Sequence, residues 1–503
     1  MTASDRHTDH SGIFSPPPDH LMPHAAETNS DRLAFERALN LFHEAARRVP
    51  AYRDFLQKMK IKPDTIRTKT DFERIPLIDK KDYITQYSLE DLSWDGILAS
   101  AKYISTSSGS TGIPFFWPRG RNQDAVVGMI FQQIYENIFG THDGSTLCVN
   151  SFALGTWIAG LEFYNATKWV ADCGNPIVMI TPGIDRAEAV NEIKKLASSF
   201  RRVLLMGYPP FVKDIIELGK ASGIAWERLD VRLLTAGEAI SETWRDYVLA
   251  LIGKKNDIMN LINVYGMAES GVVAHETPVS ILFRRILGEI SGIDSMLPDD
   301  NSVMGLYQYY SIARYFEVVS EDSLVLTADA GLPLIRYNTR DRGGILGFSE
   351  FMHRGGDRMI EIAKQYRVDL EKWQLPFVYL YGRKDLSVSF YAVNIYVENI
   401  KYALEPLFVA SQLSGLFFMS VEHMANLDQR LEITIELSRG HVPNAALNKS
   451  ITELVASRLM QVNTEYARLS SAIGSRALPK IRLVRYGEIH TIPGRKHKWV
   501  KLA

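Results

Sequence analysis

The sequence predicts an α/β fold, with a large N-terminal domain of parallel-sheet layers and a smaller, mobile α+β C-terminal domain. Three observations carry this. The chain has 503 residues, more than one ordinary hydrophobic core accommodates. Between residues 100 and 345, short apolar runs alternate with helical patterns, as in a sheet built by βαβ crossovers. Beyond residue 387 the pattern changes to strands over 416–421, 431–437 and 480–484, with a helix over 447–461. The expected division is a tail over 1–30, a large domain over 31–382, a charged turn over 383–386 and a small domain over 387–503.

The elements follow in order. Residues 1–30 are polar and include Pro16-Pro17-Pro18, the composition of a mobile tail. Asp31 is placed to cap a helix carrying Leu33, Phe35, Ala38, Leu39, Phe42 and Ala46 at helical spacing, and Pro50 is expected to stop it. Strands are expected over 147–149, 177–180, 203–206 and 231–234, and helices over 188–199 and 211–222.

Composition sets outer bounds. With 46% hydrophobic and 23% charged residues the chain is globular, and 57 basic against 58 acidic side chains leave a net charge of −1. No global field attracts nucleic acid or an anionic membrane, so neither is expected as a partner. Two cysteines, Cys148 and Cys173, make neither a disulfide framework nor a multi-cysteine zinc site, and point to a reducing compartment. No apolar run reaches the ~18 residues of a spanning helix. Acidic and His residues stand where a signal peptide would have its apolar centre. A cytoplasmic location is expected.

Several local patterns carry chemistry. The stretch Ser105-Thr106-Ser107-Ser108-Gly109-Ser110-Thr111-Gly112-Ile113-Pro114 has small hydroxyls and little bulk. Its glycines let the backbone turn with positive φ, so that N–H groups and hydroxyls can wrap an anion such as a phosphate. The same composition suits a flexible linker. In Tyr265-Gly266-Met267-Ala268-Glu269, the aromatic can stack on a planar group and Gly266 permits close approach. Glu269 offers a hard oxygen for Mg²⁺, which binds through one or two carboxylates plus substrate phosphates. A buried Tyr beside a surface Glu would read the same way. Asp341, after the apolar run 332–337, can accept both hydrogen bonds of a ribose diol, or pair with Arg336, Arg340 or Arg342. Gly237-Glu238-Ala239 also reads as a strand-to-helix turn. Phe152, Trp157 and Tyr208 suit an apolar pocket or an ordinary core. Gly382-Arg383-Lys384-Asp385 is a charged turn at the composition boundary, and residues 493–501 form a basic stretch.

Taken in this order, these motifs resemble the adenylate-forming superfamily of acyl-CoA synthetases. Within it the phenylacetate-CoA ligase-like branch fits best, because Arg48-Val49-Pro50-Ala51-Tyr52-Arg53 and Ile75-Pro76-Leu77-Ile78-Asp79-Lys80 look like its N-terminal signature. The resemblance covers residues 31–503. It implies an ATP-dependent ligase that makes an acyl-AMP from a small-molecule carboxylic acid, aromatic or otherwise apolar. An acyl-CoA thioester follows, with release of AMP and pyrophosphate. ATP, Mg²⁺ and coenzyme A are implied, and homodimers are frequent in that branch. The resemblance also assigns residues. Ser107, Ser108, Gly109, Ser110, Thr111 and Gly112 cradle phosphates. Gly237, Glu238, Ala239, Tyr265 and Gly266 lie by the adenine, Asp341 anchors the ribose, and Arg383 adjoins the nucleotide. Glu269 holds Mg²⁺. Phe152, Trp157, Tyr208, Gly266 and Met267 line the acyl pocket. Arg383 and Asp385 make the charged turn over 383–386 the hinge. Lys496, with Lys498 as second choice, neutralises charge on the acyl carboxylate and α-phosphate.

The chain departs from the pattern in places. Ile113 replaces a frequent Lys in the phosphate loop, with Arg119 or Arg121 as candidate substitutes. Arg340 and Ala392 stand where Gly is usual, Ala392 beside the pantetheine tunnel. Arg495 replaces a Gly before the lysine. Residues 351–356 lack the branch's frequent cysteine cluster, so no zinc is expected there. These departures keep two rivals open: an amine or carrier-protein acceptor, and a nucleotide-binding module without turnover.

Overall fold

The computed structural model describes residues 27–107, 115–289, 304–383, 387–409, 412–438 and 440–489. The first helix, Glu27–Arg48, starts before Asp31, which therefore lies within it rather than at its cap. Pro50 does more than stop that helix. It forces Val49 to extended geometry (φ −98°, ψ 111°) and then opens a second helix, Pro50–Lys58, at the position where a missing N–H is harmless.

The strands, in chain order, are β1 (Tyr103–Ser107), β2 (Phe115–Arg119), β3 (Thr146–Ser151), β4 (Ile177–Ile180), β5 (Arg202–Gly207), β6 (Asp230–Ala236), β7 (Leu261–Met267), β8 (Gly271–His275), β9 (Gly305–Gln308), β10 (Tyr315–Val319), β11 (Ser323–Ala330), β12 (Leu332–Leu346) and β13 (Phe377–Arg383). They continue as β14 (Ser387–Phe390), β15 (Val393–Tyr396), β16 (Leu413–His423), β17 (Gln429–Leu437) and β18 (Lys480–Val484). Eleven of them make one sheet in the order β10-β11-β12-β13-β9-β8-β7-β6-β5-β3-β4. Its half from β7 to β4 is parallel and the rest antiparallel.

The parallel half is buried on both faces, so its strands read as continuous apolar runs. On β5, Leu204 and Met206 join one core with Phe131, Phe163 and Ile262, while Val203 and Leu205 join another with Ile193, Ile216 and Val248. Chain order reverses at β3, which has β4 on one side and β5 on the other. Such a switch point opens a crevice beyond the carboxyl ends of the strands.

Asp341 lies inside β12, which runs on to Leu346, rather than after a strand ending near 337. A register shift against β13 between Asp341 and Gly343 breaks the ladder there. Residues 387–489 gather around a further core, including Leu404, Phe417, Ile433, Leu459 and Tyr466. The hairpin β14-β15 and the helix Thr464–Ile473 are additions to the expected strands and helix. Among the described residues no helix is long and apolar enough to cross a membrane.

Candidate active site

The crevice is a cleft of about 2350 Å³. Each parallel strand delivers residues to it as the strand ends. From β3 come Ser151 and Phe152, from β5 Tyr208, from β6 Gly237, Glu238 and Ala239, and from β7 Tyr265, Gly266 and Met267. Glu269 follows on the next turn, Asp341 enters from β12, and Trp157 from the start of the helix Ile158–Asp172. These sequence-predicted residues share one cavity. Ser107 ends β1, opposite Phe115, and Arg383 stands opposite Asp341 in register. Ser108, Gly109, Ser110, Thr111, Gly112, Ile113, Asp385, Arg495, Lys496 and Lys498 lie outside the described residues.

The floor is tightly bonded. Tyr265, 7% exposed, donates its hydroxyl to Asp341 Oδ2 at 2.6 Å and stacks on Tyr307 at 5.9 Å. The arginines weighed as ion-pair partners of Asp341 reach other carboxylates: Arg336 pairs with Glu317, Arg340 with Asp79 and Arg342 with Asp322. Glu269 is half-buried, and its Oε1 lies 3.4 Å from the Tyr337 hydroxyl.

Arg119 does not replace the missing loop cation. It is fully buried and donates to Ser105 Oγ at 2.9 Å, to the Glu269 carbonyl at 3.1 Å and to the Ala268 carbonyl. It braces the β1-β2 hairpin against the turn that carries Glu269. Arg121 is exposed at the start of the helix Arg121–Ile134. The cations on the cleft wall in this region are Lys80, Lys81 and Arg340. Lys80 Nζ lies 6.0 Å from the ring centre of Phe115, the residue that resumes after 108–114. Backbone bonds from Ile78 to Arg336 and Asn338 hold this segment along β12.

The remaining wall comes from residues 389–476. Glu238 Oε2 accepts the Tyr208 hydroxyl at 2.6 Å and Gln429 Nε2 at 2.7 Å. The residue is partly open to the cleft, but its carboxyl sits deep among protein atoms, and burial pushes it up to about 7. Gly237 has φ +104°. A Cβ there would meet Tyr208 at 3.1 Å and Ala392 Cβ at 3.3 Å, so the turn needs glycine. Tyr208 and Phe211 pack into the same core as Tyr391, which makes Tyr208 a seam residue as well as a cleft residue. Beside them, Asp214 accepts from Arg186 and Arg476 at 2.7 Å each, Arg476 also reaches Asp428 at 2.9 Å, and Lys213 reaches Asp428 at 3.1 Å.

Sequence reasoning missed Gln429, Lys80 as a cleft cation, and Glu162. The last is a buried carboxylate on the wall, whose only signal was a lone acid within the apolar run 158–163.

This architecture is the fold of a solved acyl-CoA ligase. The chain is 22% identical over 238 residues to the phenylacetate-coenzyme A ligase of Thermus thermophilus, covering 46% of this chain and 49% of that one. The chain thus spans about half the length of the curated relative it matches. No family model matches. Among solved structures, 2-hydroxyisobutyryl-CoA ligase with 2-HIB-AMP and CoA, in the thioesterification state, superposes with a TM-score of 0.66 at 16% identity, over 97% of this chain and 94% of that one. The post-adenylation state of that ligase with 2-HIB-AMP gives a TM-score of 0.54 at 16% identity, over 97% and 94%.

Proposed function

We propose that the chain is an ATP-dependent carboxylic acid ligase acting in two steps. A carboxylate oxygen attacks the α-phosphorus of ATP, giving acyl-AMP and pyrophosphate. A thiol, most simply that of CoA, then attacks the acyl carbon and AMP leaves. The single observation that carries this reading is the convergence of Tyr265, Glu269 and Asp341 with Phe152 and Trp157 in one cleft beyond the strand ends.

Asp341 accepts the ribose diol, exchanging its bond from Tyr265 for bonds from the sugar. Tyr265 and Gly266 flank the adenine together with Gly237, Glu238 and Ala239. The loop from Ser107 to Gly112 takes the phosphates through hydroxyl and backbone N–H donors, with Lys80 supplying the charge that Ile113 lacks. Phe152, Trp157 and Met267 give the acid a largely apolar seat. Lys496, or Lys498, neutralises the attacking carboxylate and the α-phosphate. Arg383 and Asp385 form the hinge on which residues 387–503 turn between the two steps. The described residues contain no group of three metal-ligating side chains, and Glu269 is a cleft carboxylate of the kind that holds Mg²⁺ jointly with phosphates. When bound, Mg²⁺ would offset charge on the phosphates.

The test is ATP–pyrophosphate exchange with a panel of aryl and alkyl acids, followed by mass analysis of the product formed with CoA. Acid-dependent exchange, demanding far more ATP in Asp341→Ala, is the expected result. Absence of exchange with every acid, in a folded protein that binds ATP, overturns the reading.

A further inference from the structure

One carboxylate on the cleft wall has no part in these steps. Glu162 lies on the helix Ile158–Asp172 and is only 4% exposed, yet it borders the cleft beside Phe163, Gly271 and Val272. Its Oε2 accepts the Val272 N–H at 2.9 Å, and its Oε1 lies 3.4 Å from Gln123 Nε2. A carboxylate has about four acceptor positions, so capacity remains.

Two buried guanidiniums act on it electrostatically without pairing with it. Arg119 is committed to Ser105, Ala268 and Glu269, and Arg314 to the carbonyls of Ala313 and Val272. Burial outweighs them and holds the carboxyl up at about 7. Around it, Gln123 Oε1, Ser270 Oγ and Arg314 Nε also have no partner among the described residues. Gly271, at φ +70°, clears the space, since a Cβ there would collide with Glu162 Oε1. Buried polar groups in native proteins are nearly always satisfied, so a buried carboxylate with open acceptor positions on a cavity wall calls for a ligand donor.

The reacting end of the acid cannot be that donor, because its carboxylate would face a second carboxylate. The meeting point must be another part of the substrate. Phe152 and Phe163, with ring centres 4.3 Å apart, give that neighbourhood an aromatic character.

We propose that Glu162 anchors a hydrogen-bond donor on the acyl group, so that the preferred acid is a hydroxy- or amino-substituted acid of otherwise apolar build. This rests on the ligase reading of the cleft and narrows its substrate class. Glu162 is a specificity-determining contact here, with no part in the bond-making steps.

The experiment compares phenylacetate, 4-hydroxyphenylacetate and 4-aminophenylacetate by calorimetric binding and by ATP–pyrophosphate exchange. It uses the full chain and its Glu162→Gln and Glu162→Leu variants, with unfolding curves confirming that each folds. The substituted acids are expected to bind the unaltered chain about tenfold more tightly than phenylacetate. Glu162→Gln retains much of this for the hydroxyl, and Glu162→Leu abolishes it while phenylacetate binds at least as well as before. Equal binding of all three acids, no binding of any, or a preference that survives in Glu162→Leu overturns the proposal. The predicted binding pattern without exchange upholds the anchor and rejects the ligase reading, which separates the two failures.

Discussion

The cleft has two polar regions built on opposite logic. On the floor, Arg119, Tyr265 and Asp341 bond to partners on the same large sheet or its hairpin. Along the seam, Glu238–Gln429 and the cluster of Lys213, Asp214, Asp428 and Arg476 bond residues below 383 to residues above 386. The floor is closed by buried groups, whereas the seam is mixed: Lys213, Asp214 and Gln429 are as buried as the floor, but Asp428 and Arg476 keep 22% and 32% of their side-chain surface exposed. Buried bonds within the large sheet fix geometry, whereas the partly exposed ends of the seam's ion pairs, at Asp428 and Arg476, are the ones weak enough to exchange.

The largest effect expected from this contrast is on the floor. Arg119→Leu removes a buried cation and leaves two carbonyls and the Ser105 hydroxyl without their donor. Loss of about 3–5 kcal/mol of stability is expected, read from urea unfolding. A loss below about 1 kcal/mol would show that the floor is no more rigid than the seam. Asp341→Ala comes next. Removing an acceptor of two ribose hydrogen bonds should raise the KM for ATP about a hundredfold, while stability falls by only about 1 kcal/mol with the lost Tyr265 bond. An unchanged KM in exchange kinetics would remove Asp341 from the nucleotide site.

These two residues also show what the sequence could reveal. Asp341 was legible because an acid after an apolar run keeps its meaning wherever the strand ends. Arg119 was one of two candidate substitutes for the loop cation, and no local pattern shows that Ser105 and the carbonyls of Ala268 and Glu269 surround it. The parallel strands were legible because burial on both faces makes them continuous apolar runs. In the antiparallel half only the run 332–337 was read as a strand, and the full length of β12 was hidden by its polar residues. Arg340 and Ala392 stand out in sequence as departures from glycine. Both adopt left-handed backbone, at φ +63° and +62°. At such positions an L-residue is strained by about 1–2 kcal/mol, so the geometry kept what the side chains abandoned. Gln429 was invisible because its meaning lies in a partner 191 positions away.

The seam supplies the smaller effects. Arg476→Ala severs the bridge between Asp214 and Asp428. Thioester formation from preformed acyl-AMP should slow about tenfold, with pyrophosphate exchange unchanged, because in the proposed turning of residues 387–503 these pairs belong to the pose seen here. Equal slowing of both half-reactions would mean that the cluster serves stability alone.

The finest test is pH. Burial raises the Glu238 carboxyl from an ordinary 4.5 to about 7 while Gln429 covers it. A raised pKa means that the docked form favours the proton. This contribution to docking is complete below 4.5 and is lost as pH rises through 7. His423, 3.4 Å from Gln429 Nε2, is lowered by burial and works in the opposite sense, so a Glu238 variant is needed to isolate the carboxyl. Energy transfer between labels on the two bodies should report a docked fraction that falls from about pH 5 to 7 and levels off above. Glu238→Gln still accepts from Tyr208 and carries no charge to desolvate. It should flatten that profile and dock more tightly by about 1 kcal/mol at about pH 8. If the profile keeps its slope in Glu238→Gln, the titrating group lies elsewhere, and the seam is as indifferent to protons as the floor.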